Sequence, residues 1–385
     1  MAPRRVLPVI VLAQFAGTSP WFAVNAVMPE LQREFGWAAA DVGTLTSALQ
    51  LGFIAGTLVF ALLAIADRFS ARRVFLLCAA ASALCTVAAV CSAGSFGALL
   101  GWRALTGFFL AGIYPVGMKI AAMWFPRGLG SALGWLIGAL VLGSASPHAL
   151  RALGAQWPWA SVFYGVAALA LAAGILLFLA VPEKPRAVSQ AAGLQWRALA
   201  SIWTDTKVRA SAVGYFGHMW ELYSMWVLVP AILATRMVAG PGLSWAAFAV
   251  LAVGAIGCIG GGAWARRIGS ARVAAWQLGI SGLCCLMAPW LLQAPDILFA
   301  LWLSIWGITV AGDSPQFSAL TAANAPPQAV GSVLTLVNSI GFGISILSIA
   351  IFVGLSQRLP LGTLLPWLGL GPALGVWALR PLWRR

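Results

Sequence analysis

The sequence contains an internal repeat that lies within apolar segments. Ala111-Gly112-x-x-Pro115, followed by Pro126, recurs as Ala311-Gly312-x-x-Pro315, followed by Pro326. A repeat on this scale indicates that one structural unit occurs twice in the chain. Parallel repeats of apolar helices are typical of secondary transporters, in which the substrate pathway lies between the two halves.

Two further pairs fix the register of the repeat. The loop from Asp67 to Val74 aligns without a gap on the loop from Arg266 to Val273, and Pro29 aligns with Pro230. The repeat therefore extends over most of each half of the chain.

The composition requires a lipid-facing surface. The chain is 61% hydrophobic and only 8% charged, which leaves too few charges to cover a soluble globule of 385 residues. Spans in a bilayer must be helices or a closed barrel. The long apolar runs of this chain lack the alternation of apolar and polar residues that a barrel strand shows, so they indicate helices. Breaks at charges, Pro and Gly predict about twelve spans. We expect an all-α integral membrane protein in which twelve transmembrane helices form two pseudo-symmetric six-helix bundles.

The longest polar stretch predicts the division between the bundles. It runs from Pro182 to Lys207 and contains Glu183, Lys184, Arg186, Arg197 and Asp205. The predicted domains are residues 1–181, a cytoplasmic linker at 182–207, and residues 208–385.

The distribution of basic residues predicts the orientation. Most of the 23 Lys and Arg lie at the termini or in the even-numbered loops, whereas Arg33, Arg151, Arg236 and Arg358 fall on the other side. The positive-inside rule then places both termini in the cytoplasm of a bacterial-type inner (plasma) membrane. The net charge of +14 is explained by anionic headgroups, so no nucleic-acid partner is expected.

The loop Asp67-Arg68-Phe69-Ser70-Ala71-Arg72-Arg73 resembles the cytoplasmic signature of the major facilitator superfamily (MFS). It departs in that Leu63 stands for the leading Gly and Ser70-Ala71 for the second Gly. The resemblance covers essentially the whole chain and implies the MFS fold, a secondary transporter and alternating access. It also implies a gating role for Asp67, Arg68, Arg72 and Arg73, although these residues can instead simply end a helix.

A second resemblance lies in span four, at Arg103-x-x-x-Gly107-x-x-x-Ala111-Gly112. In the superfamily this Arg is associated with proton transfer. An Arg inside a span requires a partner or a water-filled cavity, unless it snorkels to the interface. Span five lacks the Gly-Pro pair and trailing Gly-Gly of antiporter members, which disfavours a drug exporter.

The two deep membrane acids both lie in the second half, at Glu221 in span seven and Asp313 in span ten. Intramembrane acids usually mark ion, proton or substrate sites. His218 precedes Glu221 by three positions, so the two side chains share one helix face, with Tyr215 nearby. We expect proton coupling through Glu221, Asp313 and His218. A hydrogen-bonded pair of purely structural role remains the alternative, and the sequence does not rank the two acids.

Pro315 follows Asp313 closely and predicts a kink there, because Pro breaks the helical hydrogen-bond ladder. In the superfamily, spans one, four, seven and ten line the central cavity, and this chain concentrates its polar membrane residues in those spans, including Gln14 and Thr18. The candidate substrate-binding residues are Arg103, Lys119, Tyr114, Asn25, Trp21, Gln316 and Tyr215.

The basic candidates lie in the first half and the acidic ones in the second. This division favours proton-coupled symport of a small, anionic organic solute, with uptake as the expected direction. We expect no cofactor and a monomer whose partners are the solute, protons and the lipid bilayer.

Several alternatives remain open. His218, Met219 and Met225 are candidate ligands for transition-metal uptake, copper in particular, although the two Met are six positions apart. Proton-driven efflux of a drug or metabolite is a second alternative, and a substrate-sensing or assembly factor is a third. No enzyme is expected, because no nucleophile, base and orienting group occur together.

Overall fold

The computed structural model describes residues 5–125, 129–183, 194–195 and 198–383. Within those ranges all regular secondary structure is helical. A bilayer core offers no water to backbone N–H and C=O groups, and an α-helix pairs these groups within its own segment. The predicted all-α class is therefore confirmed.

Eleven helical segments of the described chain are long and apolar enough to span a membrane. The remaining predicted span is the 29-residue helix Thr206–Ala234, which is not among the eleven. It is longer than the roughly 20 residues that a span needs. This helix carries His218 and Glu221, and most of its residues are buried. A helix shielded from lipid does not need an apolar surface on all sides.

The chain forms two compact units. Unit one comprises Met1–Leu194 together with Gly240–Phe248, and unit two comprises Gln195–Ala239 and Ala249–Arg385. The change from one unit to the other at Leu194 falls inside the predicted linker. Residues 184–193 and 196–197 of that linker lie outside the described chain, as does Pro126 of the first repeated motif.

Unit one contains nine helices within the described residues. They are α1 (Val6–Gly17), α2 (Ala23–Phe35), α3 (Asp41–Leu62), α4 (Ile65–Arg68), α5 (Ala71–Cys91), α6 (Phe96–Leu110), α7 (Tyr114–Trp124), α8 (Leu129–Leu153) and α9 (Ala160–Ala180), with a 3₁₀ segment at Ser19–Phe22 between α1 and α2.

The remaining described helices belong to unit two, except that α12 begins within unit one. They are α10 (Ala198–Thr204), α11 (Thr206–Ala234), α12 (Pro241–Ala252), α13 (Gly254–Ile268), α14 (Ser270–Leu291), α15 (Asp296–Gly312), α16 (Ser314–Asn324), α17 (Val330–Ser356), α18 (Leu361–Leu364), α19 (Leu370–Ala378) and α20 (Arg380–Trp383), with a 3₁₀ segment at Leu365–Gly369.

Span one is interrupted between α1 and α2. Pro20 lies at the start of the 3₁₀ segment and has no backbone N–H to donate. The hydroxyl of Thr18 donates to the carbonyl of Gln14 at 2.8 Å, and the hydroxyl of Ser19 donates to that of Ala16 at 2.8 Å. Such side-chain bonds compete with the helical ladder. The local sequence therefore replaces regular α-helix with a tighter turn at this depth.

Both copies of the repeated motif end one helix and begin the next. In unit one, α6 and α7 meet at residues 111–113, and Pro115 lies in the first turn of α7. In unit two, α15 and α16 meet at Asp313, and Pro315 lies in the first turn of α16. The predicted break beside Asp313 is confirmed, and it has a counterpart in span four.

Repeated glycines make the same close helix contact in each unit. A Cβ on Gly107 of α6 would lie 1.9 Å from the carbonyl oxygen of Leu49, and a Cβ on Gly307 of α15 would lie 2.2 Å from that of Val250. Only glycine permits such an approach of two backbones. The sequence repeat is therefore also a repeat of helix packing.

Candidate functional site

Arg103 is a buried cation of unit one. Its side chain is 1% exposed, and Nη1 and Nη2 donate to the carbonyl oxygens of Pro20 and Trp21 at 2.9 and 2.6 Å. Those carbonyls lie in the interruption of span one, where regular helical partners are lost. The guanidinium thus stabilises the interruption. The alternative that Arg103 snorkels to the membrane interface is wrong, because the side chain is buried.

Among the residues that the structure describes, the positive charge of Arg103 has no direct counter-charge. None of the ion pairs between described residues includes it. An unpaired buried cation is costly and is usually retained for a function. Unit one therefore carries an uncompensated positive charge beside the interruption of span one.

Three other predicted substrate residues lie near this interruption. Trp21 is fully buried, and its ring lies 5.1 Å from that of Phe53, centroid to centroid. Tyr114 stacks on the same Phe53 at 6.4 Å. Asn25 is 5% exposed and accepts a hydrogen bond from Thr46 at 3.2 Å. The structure thus brings Trp21 and Tyr114 together through one aromatic side chain.

Lys119 lies elsewhere and corrects the prediction that it is a substrate ligand. Its ammonium pairs with the carboxylate of Asp67 and also donates to the carbonyl of Ala66. Because α7 extends beyond the break in span four, Lys119 reaches the loop between α3 and α5. It therefore joins the predicted gating residues and not the residues around Arg103.

Of the remaining gating candidates, Arg72 forms a second contact in that region. Arg72 pairs with Glu183 at 3.0 Å, and its Nη1 donates to the carbonyls of Phe178 and Val181 at the end of α9. Arg68 and Arg73 are exposed. A pocket of about 240 Å³ is lined by Asp67, Arg72, Lys119 and Glu183 among others. These charges connect α5, α7 and the residues after α9 within unit one.

Glu221 is fully buried in unit two and is surrounded by hydrogen-bond donors. Oε1 accepts from the indole N–H of Trp306 at 2.6 Å and from the thiol of Cys285 at 3.1 Å, and Oε2 accepts from the hydroxyl of Ser281 at 2.8 Å. An indole N–H can only donate, so it favours an acceptor oxygen at Oε1. The site is built to hold Glu221 as a fixed acceptor.

His218 pairs with Asp313 and not with Glu221, which corrects the expected His218–Glu221 pair. The distance from His218 Nδ1 to Asp313 Oδ1 is 2.8 Å, and both side chains are at most 1% exposed. Residues three apart share a helix face only approximately, because each step turns the helix by about 100°. Here that difference directs His218 toward the start of α16, whereas Glu221 faces α14 and α15.

Aromatic rings pack around the His218–Asp313 pair. The imidazole lies 5.8 Å from the ring of Tyr215 and 5.9 Å from that of Phe317, centroid to centroid. Gln316 is 3% exposed and lies in the first turn of α16. The predicted residues Tyr215 and Gln316 thus lie in the helices that hold the pair.

The residues of the copper alternative point in different directions. Met219 packs toward α17, because a Cβ on Gly341 would lie 3.0 Å from its Cγ. His218 faces Asp313 instead. Across the part of the chain that the structure describes, no group of three or more His, Cys, Asp or Glu side chains is placed to hold a metal ion.

Sequence reasoning missed the donors of span nine. Ser281 and Cys285 are four positions apart and therefore lie on one face of α14, which was the available signal. A cysteine in an apolar span predicts only packing, but Cys285 donates to Glu221. His148 of span five, 2% exposed, was also missed.

Comparisons with known proteins agree with this architecture. A sequence model described as the Major Facilitator Superfamily matches residues 10–350. The curated proteins include no match. Among the solved chains that match is the crystal structure of the human organic anion transporter MFSD10 (TETRAN). It has a TM-score of 0.77 and 18% sequence identity, over 98% of this chain and 99% of that chain. At this identity the likeness shows the fold alone.

Proposed function

The chain belongs to the Major Facilitator Superfamily of membrane transporters, and we propose that it takes up a small organic anion by proton-coupled symport. One observation carries the proposal, namely the division of buried charge between the units. Unit one holds Arg103 without an acid partner, whereas unit two holds Glu221 and the His218–Asp313 pair. An anion is attracted by the first charge, and a proton by the second.

The anionic substrate follows from the field of Arg103. Coulombic attraction is strong where water is excluded, so a buried guanidinium favours an anion bound near it even without direct contact. Trp21 and Tyr114 supply aromatic surface for an apolar part of the solute. The structurally similar MFSD10 is described as an organic anion transporter, which supports the proposal.

Proton coupling is assigned first to the His218–Asp313 pair. With a neutral imidazole and an ionised carboxylate the pair carries a charge of −1, and one added proton makes it neutral overall. A buried site that changes its charge in this way links protonation to conformation. The pair lies at the junction of α15 and α16, where the interrupted backbone can change its angle with least loss of hydrogen bonds.

Glu221 takes a different role in this proposal. Its two oxygens already accept from Trp306, Cys285 and Ser281. An ionised carboxylate accepts at both oxygens and so matches all three donors, of which Ser281 also has the carbonyl of Leu278 as an acceptor at 3.1 Å. We therefore treat Glu221 as a fixed carboxylate that connects α11 to α14 and α15, and as the second candidate for the coupling proton.

In this mechanism the carrier alternates between two openings, and each unit moves largely as a body. The charge contacts of Asp67 with Lys119 and of Arg72 with Glu183 stabilise one of the two conformations. Arg68 and Arg73 contribute to the same gate. The carrier works as a monomer in a bacterial-type plasma membrane with both termini in the cytoplasm. A reporter after Arg385 should be cytoplasmic, and one in residues 151–156 external.

The test begins with a thermal-shift screen of the purified protein against carboxylates, amino acids, nitrate, Cu(I) and cationic drugs. A ligand that binds the native state raises its melting temperature. The carboxylate with the largest shift is then used in liposomes with an imposed pH gradient. Wild type should concentrate it, and Asp313→Asn should exchange it in counterflow without concentrating it.

The matched control is Asp296→Asn, because Asp296 is an acid of unit two with a side chain 92% exposed. It should accumulate the solute like wild type. His218→Gln should shift the pH dependence of accumulation. Retained pH-driven accumulation in both Asp313→Asn and His218→Gln would contradict coupling through the pair. Loss of coupling only in Glu221→Gln would transfer the role to Glu221.

The same preparations separate the alternatives. Copper uptake requires Cu(I) to give the largest thermal shift and the Met219→Leu, Met225→Leu double variant to lose binding. An organic anion requires weaker binding in Arg103→Gln with the double Met variant intact. Proton-driven efflux is recognised by accumulation of the solute in liposomes with an acidic lumen, whereas proton symport accumulates it in liposomes with an alkaline lumen. A sensor or assembly factor would bind a ligand without exchanging it.

A further inference from the structure

Unit one contains a group of buried polar side chains outside the site described above. Gln14, Ser144 and His148 are 0%, 1% and 2% exposed. Within the described residues, Nε2 and Oε1 of Gln14, Oγ of Ser144 and Nε2 of His148 have no hydrogen-bond partner. A buried polar atom without a partner is costly, and most buried polar groups of native proteins are satisfied. Unpartnered atoms that recur in one region therefore indicate a binding function.

The three side chains belong to helices that meet at the interruption of span one. Gln14 is in the last turn of α1, and a Cβ on Gly117 of α7 would lie 2.3 Å from its Oε1. Helix α8 passes the same point, since a Cβ on Gly143 would lie 2.1 Å from the carbonyl oxygen of Phe15. α8 also contacts the 3₁₀ segment at Ser19–Phe22.

Ser144 and His148 form one patch of α8. They are four positions apart and therefore neighbours on one face of the helix. Between them, Pro147 has no N–H for the carbonyl of Gly143, and the hydroxyl of Ser146 donates to it instead at 2.7 Å. The hydroxyl of Ser146 is thus engaged within its own helix, whereas the polar atoms of Ser144 and His148 are available to a ligand.

The chemistry of the group defines its ligand. An amide, a hydroxyl and an imidazole each offer a donor or an acceptor without a fixed charge. The 3₁₀ segment that α8 contacts is also the segment whose carbonyls bind Arg103, so a positive charge lies at the same interruption. A complementary ligand carries a negative charge and a further oxygen that accepts or donates a hydrogen bond.

We propose that Gln14, Ser144 and His148 determine specificity in unit one by binding the hydroxyl or carbonyl oxygen of a small hydroxy- or oxo-carboxylate. The inference rests on the proposed transport of an organic anion and names its class. The ligand reaches these side chains when the carrier opens. A site with buried hydrogen-bonding groups discriminates strongly against an analogue that lacks the matching oxygen.

The test compares matched carboxylates in the same liposomes, lactate against propionate and malate against succinate. Wild type should prefer the hydroxylated member of at least one pair by about tenfold or more. Ser144→Ala and His148→Leu should each reduce that preference by about three- to tenfold, the value of one hydrogen bond. His148→Gln places an amide nitrogen near the position of Nε2 and should restore part of it.

Ser146→Ala is the matched control, because it removes a buried hydroxyl of α8 that is already engaged. It should keep the preference of wild type, and melting temperatures identify any variant that fails to fold. Carboxylate transport with an unchanged preference in Ser144→Ala and His148→Leu would overturn the recognition site and leave the proposed function standing. If wild type transports no carboxylate of either kind, the proposed function itself is wrong, and this inference falls with it.

Discussion

The two units place different chemistry at equivalent positions of one scaffold. The register that aligns Pro29 with Pro230 also aligns Gly17 with His218, and Ile113 of the first motif corresponds to Asp313 of the second. In unit one, a Cβ on Gly17 would lie 2.8 Å from Cγ2 of Ile113. In unit two, the corresponding side chains are an imidazole and a carboxylate 2.8 Å apart. An apolar contact in one unit is thus a titratable pair in the other.

A second equivalence concerns how the fourth span of each unit contacts the first. In unit one, Arg103 donates to the backbone carbonyl of Pro20. In unit two, Trp306 donates to the carboxylate of Glu221, the residue that aligns with Pro20. The contact of Arg103 with a neutral carbonyl carries a net positive charge. The contact of the neutral indole of Trp306 with a carboxylate carries a net negative charge. In both units a donor of the fourth span thus bonds to aligned positions of the first span, and the sign of the remaining charge differs. The donors themselves are not aligned, since Arg103 corresponds to Leu303 and not to Trp306.

The largest expected effect comes from the contact in unit one. Arg103→Leu removes two hydrogen bonds from a charged donor, those to the carbonyls of Pro20 and Trp21, although the backbone N–H of Ala23 still donates to Pro20. At roughly 1.5–3 kcal/mol for each hydrogen bond that involves a charged group, the loss of stability should be about 4 kcal/mol. Arg103→Lys, which keeps the charge and can reach one carbonyl, should lose about half as much. The melting temperature in detergent measures both. An Arg103→Leu protein as stable as wild type would show that the guanidinium is not needed to hold the interruption.

The equivalent contact in unit two should have a smaller effect. Trp306→Phe removes one donor from Glu221 while keeping an aromatic ring in the packing. A hydrogen bond to a charged group contributes roughly 1.5–3 kcal/mol, so we expect a loss of about 2 kcal/mol. Combining Trp306→Phe with Glu221→Leu should cost less than the sum of the two single changes, because no buried carboxylate remains to be satisfied. Strict additivity of the melting shifts would break the comparison.

The sequence predicted the scaffold better than it predicted the partners of the side chains. Apolar length and the two Pro motifs were sufficient for the all-helical class and for the breaks in spans four and ten. The i, i+3 spacing of His218 and Glu221 says only that they are near each other along α11. Their actual partners are set by α14, α15 and α16, which no local pattern reveals. Lys119 was misassigned for the same reason, because the helix break in span four determines how far α7 extends toward Asp67.

The two units also differ in how their first long helix begins, which gives a third prediction. Helix α1 of unit one has no side-chain cap, whereas Asp205 caps α11 by accepting from the backbone N–H groups of Lys207 and Val208. These bonds lower the pKa of Asp205 below its ordinary value of 3.8, and the bond from Val208 has the largest effect. Asp205→Ala should therefore lower stability by about 1 kcal/mol at neutral pH.

The sign of the pH dependence follows from the depressed pKa. The stabilisation by Asp205 is fully present above the ordinary Asp pKa and is lost as the pH falls through the lower value in the folded protein. The melting-temperature gap between wild type and Asp205→Ala should therefore be constant near neutrality and narrow below about pH 4. Asp205→Asn keeps a capping oxygen without the charge. The difference in melting temperature between Asp205→Asn and Asp205→Ala should therefore not change with pH. A gap that widens in acid would contradict the cap.

The smallest effect concerns the loops that join the second and third spans of each unit. Both use a residue with positive φ, but unit two has Gly269 at φ 88° whereas unit one has Ala64 at φ 48°. A left-handed conformation costs an L-residue roughly 1–2 kcal/mol, partly offset by the greater backbone entropy that glycine loses on folding. Ala64→Gly should therefore stabilise the protein by about 0.5 kcal/mol. Gly269 has φ 88° and ψ 149°, a conformation that essentially only glycine adopts, so Gly269→Ala should destabilise the protein by about 1 kcal/mol or more. Ala66→Gly, in the short helix α4 next to Ala64, is the control and should be destabilising. If Ala64→Gly lowers the melting temperature as Ala66→Gly does, the backbone at Ala64 is not strained, and the two loops do not differ in the way proposed.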